Sequence, residues 1–348
     1  MAVITIVGSG MMGSALAFPA RENGHEVRLV GTHLDREIIS ACLKENRHPK
    51  FKKDFPDGVK FYQIEELQTA LSGADLVIGG VSSFGVDWFA EKVLPAIAEN
   101  TPVLTVTKGL FDTADGRLLT YPDIWNTRLS ELGRKLPLNA VGGPCTSYEL
   151  VAHDQTEVTF CGSDINILER IRGYLATDYY HISITTDVTG IESAVALKNG
   201  YALGIALTIG LNRKSFGNDT LHFNSQAAVF GQAVKEMYRL LKFQNALSLN
   251  NLCVGAGDLY VTVYGGRTRL VGILLGEGNN IDEAKEALNG VTLESLVVAE
   301  RVARAVKMNI KKGVLDGADF PLLLHIDEII TQKAAVLIPW EKFTYKEV

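Results

Sequence analysis

Cysteine is scarce in this chain of 348 residues: Cys42, Cys145, Cys161 and Cys253 stand far apart, with no Cys-x-x-Cys. No metal-type spacing results, and the pattern fits free thiols in a reducing compartment. A basic excess is missing too. With 34 Lys+Arg against 40 Asp+Glu the net charge is −6, which argues against general binding to nucleic acid or an anionic membrane. Any anion must then be held by a local basic cluster. Long hydrophobic runs are absent as well: the longest, Tyr201 to Leu211, is too short to span a bilayer and reads as a buried helix. The first strand begins at the N-terminus and leaves no room for a signal peptide, so a soluble cytoplasmic protein is expected. There is no internal repeat, low-complexity tract or flexible linker.

What is present is a full core, with 47% hydrophobic and 21% charged residues, in a chain long enough for two domains. Its most informative stretch comes first. The apolar run Val3 to Val7 passes into Gly8-Ser9-Gly10-Met11-Met12-Gly13, and a helical pattern follows. In this setting Gly8 makes the tight turn, Gly10 admits a pyrophosphate to the backbone, and Gly13 lets helix and strand pack closely. The helix N-terminus then faces the phosphates. Pro19 should shorten or kink this helix, and Asn23-Gly24 should stop it.

Strand patterns recur at 25–31, 59–62, 75–81, 102–107, 139–141, 158–161 and 181–186, with amphipathic helices at 64–71, 88–98 and 165–176. Alternation of this kind predicts a doubly wound, mostly parallel sheet. From about Gly190 helical patterns dominate (191–211, 225–241, 282–287, 293–306), and Asp319 before Pro321 offers a cap for another helix. The expected division is an α/β dinucleotide-binding domain over 1–188 and an all-α substrate-binding domain over 189–348.

Where a carboxylate would receive the ribose 2′-hydroxyl of NAD, the chain has Thr32 and His33, with Arg36 nearby. That leans toward NADP, while Asp35 keeps NAD open. Lys50, Lys52 and Lys53 read as a solvated loop rather than an anion site. Lys108, in Thr107-Lys108-Gly109-Leu110, follows a strand and is either a solvated charge or a ligand contact. Gly142-Gly143-Pro144-Cys145-Thr146 follows another strand and suits close approach of a substrate; nothing adjacent activates Cys145, which reads as lining. Lys198 interrupts an apolar helical run, so it either snorkels to solvent or is buried for acid–base work. Asp258 could bond such a lysine, or be a cap or turn residue. Arg267, after Gly265-Gly266, has the planar donor fork that suits phosphate, or is an ordinary surface arginine.

Taken in order, Gly8–Gly13, Thr107–Leu110, Gly142–Pro144, the run Asp187 to Asn199, Gly255–Leu259 and Gly265–Arg269 resemble NAD(P)-dependent glycerol-3-phosphate dehydrogenase, from residue 3 to about 310. The resemblance implies a Rossmann-type N-terminal domain and a helical C-terminal domain. It also implies reversible reduction of dihydroxyacetone phosphate to sn-glycerol 3-phosphate by hydride transfer from NADP or NAD. It makes Lys198 the proton donor and acceptor, has Lys108 bind and polarise the substrate, and puts Asp258 in the polar network. Gly143, Cys145, Gly266, Arg267 and Thr268 join the substrate set, with Arg267 on the phosphate. Gly8, Gly10, Met11, Met12, Gly13, Thr32, His33, Lys108, Ser147 and Arg267 form the cofactor set, and no metal is implied.

The chain departs from the family pattern at Cys145, at Thr268, at Gln226 in Asn224–Ala228, and at Asn289 in Asn289-Gly290-Val291. A dehydrogenase of another small hydroxy or keto acid, and a non-catalytic NAD(P)H sensor, are the alternative readings. The expected partner is a small phosphorylated substrate, with no nucleic acid and no membrane span. The oligomeric state is open, a homodimer included.

Overall fold

The structure, a computed structural model, describes residues 1–51, 53–288 and 294–344. Lys52 and the Asn289-Gly290-Val291 stretch lie outside the described residues. The chain forms two compact units, one of residues 1–108 and 120–192, the other of 109–119 and 193–348. The sequence pattern divided the chain at 188/189. It gave no sign that 109–119 leave the first unit, because that segment holds to the second by contacts distant in sequence.

The first unit carries an eight-stranded sheet. Its strands are β1 (Val3–Val7), β2 (Glu26–Val30), β3 (Lys60–Tyr62), β4 (Leu76–Gly79), β5 (Val103–Thr105), β8 (Leu138–Gly142), β9 (Thr156–Gly162) and β10 (Tyr180–Thr185). Their spatial order is β10-β9-β8-β5-β4-β1-β2-β3; β6 (Leu110–Asp112) and β7 (Leu118–Thr120) pair apart from it. Neighbours run parallel except β8 and β9, which are antiparallel. Ile4, Ile6, Leu29, Leu76 and Ile78 are all fully buried, as expected of central strands covered on both faces. After β1 the chain builds β2 and β3 on one side, then crosses to β4 and β5 on the other. The crevice at the carboxyl ends of β1 and β4 is therefore the topological switch point, where open α/β sheets bind ligands.

The helices of this unit are α1 (Met11–Glu22), α2 (Arg36–Glu45), α3 (Leu67–Leu71), α4 (Val86–Trp88), α5 (Tyr121–Glu131), α6 (Ser147–Val151) and α7 (Ile165–Leu175). Pro19 sits in the last turn of α1 without ending it, and Asn23 caps the helix. The single helix expected over 88–98 is instead α4 followed by a π-turn at Phe89–Val93 and a 3₁₀ turn at Leu94–Ala96. Helix α5 has no counterpart in the periodicity reading. It opens on a reciprocal box in which Thr120 Oγ1 accepts from Asp123 N–H and the Asp123 carboxylate accepts from Thr120 N–H.

The second unit is built on α8 (Val188–Phe216), α9 (Phe223–Phe243), α10 (Leu249–Tyr264), α11 (Gly266–Glu277), α12 (Ile281–Ala287), α13 (Glu294–Lys311) and α14 (Pro321–Gln332), with α8 beginning in the first unit. At 29 residues α8 is long and apolar enough to cross a membrane, but 83% of its most apolar window is buried inside the protein. It is the central core helix. Small residues let α11 lie directly on it: a Cβ on Gly276 would come within 2.3 Å of Leu207 O, and one on Gly272 within 2.5 Å of the Ala206 Cβ.

The expected Asp319 cap on α14 is not what the structure shows. Phe320 occupies the cap position with no side-chain bond. The buried Glu236 of α9 instead accepts from Leu322 N–H at 2.8 Å and Leu323 N–H at 2.9 Å.

Candidate active site

In the first unit the glycine-rich loop Gly8–Gly13 follows β1 and lies at the switch point. Gly8 has φ +108°, and a Cβ there would lie 2.7 Å from the Gly80 carbonyl carbon. A Cβ on Gly13 would lie 2.3 Å from Gly8 O. Both glycines are therefore fixed by packing of loop, helix and β4 end. Gly10 differs, since a Cβ there would meet only Gly80 O, at 3.7 Å. Its open side is the approach a pyrophosphate needs, and the N–H groups of the first turn of α1, at Met11 and Met12, lack intrahelical partners there. These residues fit a dinucleotide. Gly80, which motif reading missed, is part of the same knot: a Cβ on it would lie 2.9 Å from the Gly13 Cα.

Thr32 follows β2 and is buried, whereas His33 is exposed and its ring packs edge-on at 5.8 Å from Trp88. Asp35 is committed to the loop. Its Oδ2 accepts from Thr32 N–H at 2.9 Å, Thr32 Oγ1 at 2.8 Å and Ser9 N–H at 3.2 Å. Arg36 is paired with Glu65 on the surface. In the basic loop, Lys53 is exposed yet donates to the Val151 carbonyl and lies 5.5 Å from the Phe18 ring, so it is tied down.

Lys108 comes after β5 and Gly143 after β8, and the Lys108 ammonium donates to the Gly143 carbonyl at 3.0 Å. Gly143 has φ +128°, and a Cβ there would sit tightly, 3.1 Å from Val158 Cα and 3.2 Å from Glu157 O. Cys145 is half-buried against the sheet core, and Ser147 opens α6 behind the Thr146 cap.

Close to Lys108 sits a group that motif reading did not single out. Glu192 is fully buried and neither carboxyl oxygen has a hydrogen-bond partner among the described residues. Burial pushes its carboxyl up to about 8; the Lys108 ammonium pulls against this and the Asp123 carboxylate reinforces it.

In the second unit the structure brings Lys198 and Asp258 together. Gly255 lets α10 close on α8, since a Cβ there would lie 3.0 Å from the Ala194 Cβ. One turn along each helix, the Lys198 ammonium meets the Asp258 carboxylate. The Lys198 side chain is 13% exposed and that of Asp258 is 0% exposed. The lysine is thus not snorkelling into bulk water, and Asp258 is neither cap nor turn but mid-helix.

Gly265 separates α10 from α11, and Gly266, Arg267 and Thr268 form the first turn of α11, with Arg267 exposed. Gln226 lies in the first turns of α9, its amide donating to the His222 carbonyl at 3.1 Å.

Residues 3–167 match the N-terminal family described as NAD-dependent glycerol-3-phosphate dehydrogenase, and residues 187–338 match its C-terminal counterpart. The NADP(+)-dependent glycerol-3-phosphate dehydrogenase of Archaeoglobus fulgidus is 32% identical over 344 residues, covering 95% of this chain and 99% of that protein. Glycerol-3-phosphate dehydrogenase [NAD(P)+] of Myxococcus xanthus is 30% identical, covering 82% and 84%. Among solved structures, glycerol-3-phosphate dehydrogenase of Plasmodium falciparum shares the fold with a TM-score of 0.83 at 20% identity, covering 100% of this chain and 96% of that one. The Coxiella burnetii enzyme does so with 0.78 at 24% identity, covering 98% and 97%.

Proposed function

Since the chain belongs to the NAD-dependent glycerol-3-phosphate dehydrogenase family, and is an NAD(P)-dependent oxidoreductase acting on CH–OH, we propose that Lys198, Lys108, Asp258 and Arg267 carry the reduction of dihydroxyacetone phosphate. The bound dinucleotide supplies the hydride, or takes it in the reverse direction. The ammonium of Lys198 gives a proton to the ketone oxygen as that oxygen gains charge, and its amine takes the proton back in the reverse reaction. Asp258 orients that ammonium from a fully buried position. Lys108, anchored on the Gly143 carbonyl, stabilises the developing alkoxide, the contribution that matters most in such reactions. Arg267, with Thr268 and the backbone at Gly266, grips the phosphate and so fixes the carbonyl. Gly143 and Cys145 line the substrate loop. Gly8, Gly10, Met11, Met12, Gly13, Thr32, His33, Ser147, Lys108 and Arg267 serve the cofactor. The sheet-bearing stretch 1–188 is read as the dinucleotide domain and 189–348 as the substrate domain.

One observation carries this reading: a lysine in an apolar helix, withdrawn from bulk water and paired with a fully buried aspartate. Lys198→Ala should lower kcat by ~10²–10⁴-fold while NAD(P)H still binds with near-normal affinity by fluorescence titration. Near-normal turnover by that variant would rule the assignment out.

The same assay separates the cofactors. Asp35 spends one oxygen on three donors, two at Thr32 and one at Ser9 of the glycine-rich loop, and the Archaeoglobus relative is named NADP(+)-dependent. NADPH should accordingly show the higher kcat/KM; a preference for NADH would overturn that choice. Free thiols at all four cysteines support a cytoplasmic setting. The exposed aromatics Phe223, Tyr260 and Tyr264 of the second unit support a homodimer, which the mass in solution decides.

A further inference from the structure

The glycine-rich loop is held by a side chain outside the motif. His48 lies in the connection between α2 and β3 and is fully buried. Its ring packs 4.6 Å from the Phe51 ring and 6.4 Å from that of Phe55. Its Nδ1 accepts from the Lys50 N–H at 3.2 Å, so the ring proton resides on Nε2, which donates to the Ser9 carbonyl at 3.1 Å. Burial lowers the imidazole's affinity for a second proton. The hydroxyl of Ser14 donates to the same carbonyl at 3.1 Å, and the Asp35 carboxylate accepts from the Ser9 N–H.

A trans peptide points its C=O and the next N–H in opposite directions. Holding the Ser9 carbonyl toward His48 and Ser14 therefore turns the Gly10 N–H the opposite way, away from both side chains. We propose that His48 is a positioning residue for the dinucleotide: its Nε2–H, bonded to the Ser9 carbonyl, sets the direction of the Gly10 N–H that receives the pyrophosphate. The assignment rests on the dinucleotide reading of the loop and adds to it a residue about forty positions downstream. Ser14 still satisfies the carbonyl when His48 is replaced, so the fold has a second support and the orientation loses one of two.

The test uses the full chain with His48→Gln, His48→Asn and His48→Leu. A Gln amide nitrogen reaches about where Nε2 does, whereas that of Asn falls short. His48→Asn and His48→Leu should weaken NADPH binding, measured by nicotinamide fluorescence, by ~5–10-fold. His48→Gln should stay within about twofold of the wild type. KM for the dinucleotide should follow these losses, while KM for dihydroxyacetone phosphate and kcat at saturating dinucleotide move less than about twofold. Wild-type affinity in His48→Asn overturns the proposal, as does a loss in His48→Gln equal to that in His48→Asn. If His48→Leu fails to fold, the Gln and Asn pair still decides. Failure of all variants and the wild type alike to bind NADPH or NADH would instead overturn the dinucleotide reading beneath it.

Discussion

Lys198 and Glu192 are placed where side chains of their type are costly. Lys198 offsets its position in an apolar helix with an ion pair to Asp258, the arrangement that lets a buried charge persist. Glu192 does not offset its burial; it stays neutral instead. The sign of the consequence follows from linkage. In the unfolded chain this carboxyl ionises near 4.5, and in the folded protein near 8. Between those values the folded state holds the extra proton, so stability falls as pH rises through the window. Glu192→Gln keeps the shape and removes the titration. Its Tm relative to the wild type should therefore climb between pH 5 and pH 8.5, by a few degrees or more. Melts whose difference stays flat across that range would show that the carboxyl is ionised or solvated after all.

At the scale of elements, positions that punctuate a sequence can instead be positions of contact. Gly255 and Gly257 sit within α10, and Gly272 and Gly276 within α11. In sequence such glycines suggest turns, yet Gly255, Gly272 and Gly276 are where helices touch backbone to backbone. The eight strands of the main sheet were readable from their apolar and β-branched content, whereas the three-residue β6 and β7 were not. The antiparallel course of β9 was not, since direction depends on the connection and not on composition. Local capping signals proved equally ambiguous. Asp319 has the right spacing to cap α14, but the bonds come from Glu236 of α9. Glu236→Ala should cost ~1–3 kcal/mol, because two buried N–H groups at the start of α14 lose their acceptor. Asp319→Ala should cost little, its ion pair with Arg239 being partly exposed. Equal losses for the two in urea titration would return the cap to Asp319.

For the whole molecule, the residues proposed to face the ligands sit in local motifs, while the contacts behind them are formed across long stretches of chain. Gly10, Lys108, Lys198 and Arg267 sit in recognisable local sequences, whereas His48 and Gly80 meet groups far away in the chain, and Glu192 feels the charges of Lys108 and Asp123. The same holds for the passage of 109–119 into the second unit. Side chains on and just after α13 hold it there. Arg304 grips Asp112 with two bonds of 2.8 and 2.9 Å, Arg301 lies over the Phe111 ring at 3.9 Å, and the buried Asn309 donates to the Gly116 carbonyl at 2.8 Å. Burial raises the Asp112 carboxyl, but the Arg304 bonds outweigh it and hold it below the usual carboxylate range. The surface pair is partly exposed and so contributes modestly; the buried amide should matter more. Asn309→Ala should quicken amide hydrogen exchange across 110–118 by ~10-fold or more. The amides of β1, which belong to the other unit, should keep their protection. Lys108 is bonded directly to the first residue of this segment, so loosening it should also raise KM for dihydroxyacetone phosphate more than KM for NADPH. Unchanged exchange at 110–118 would show that the segment is held by its hydrophobic contacts, Leu110 and Leu118 being buried in the helical core, and not by the amide.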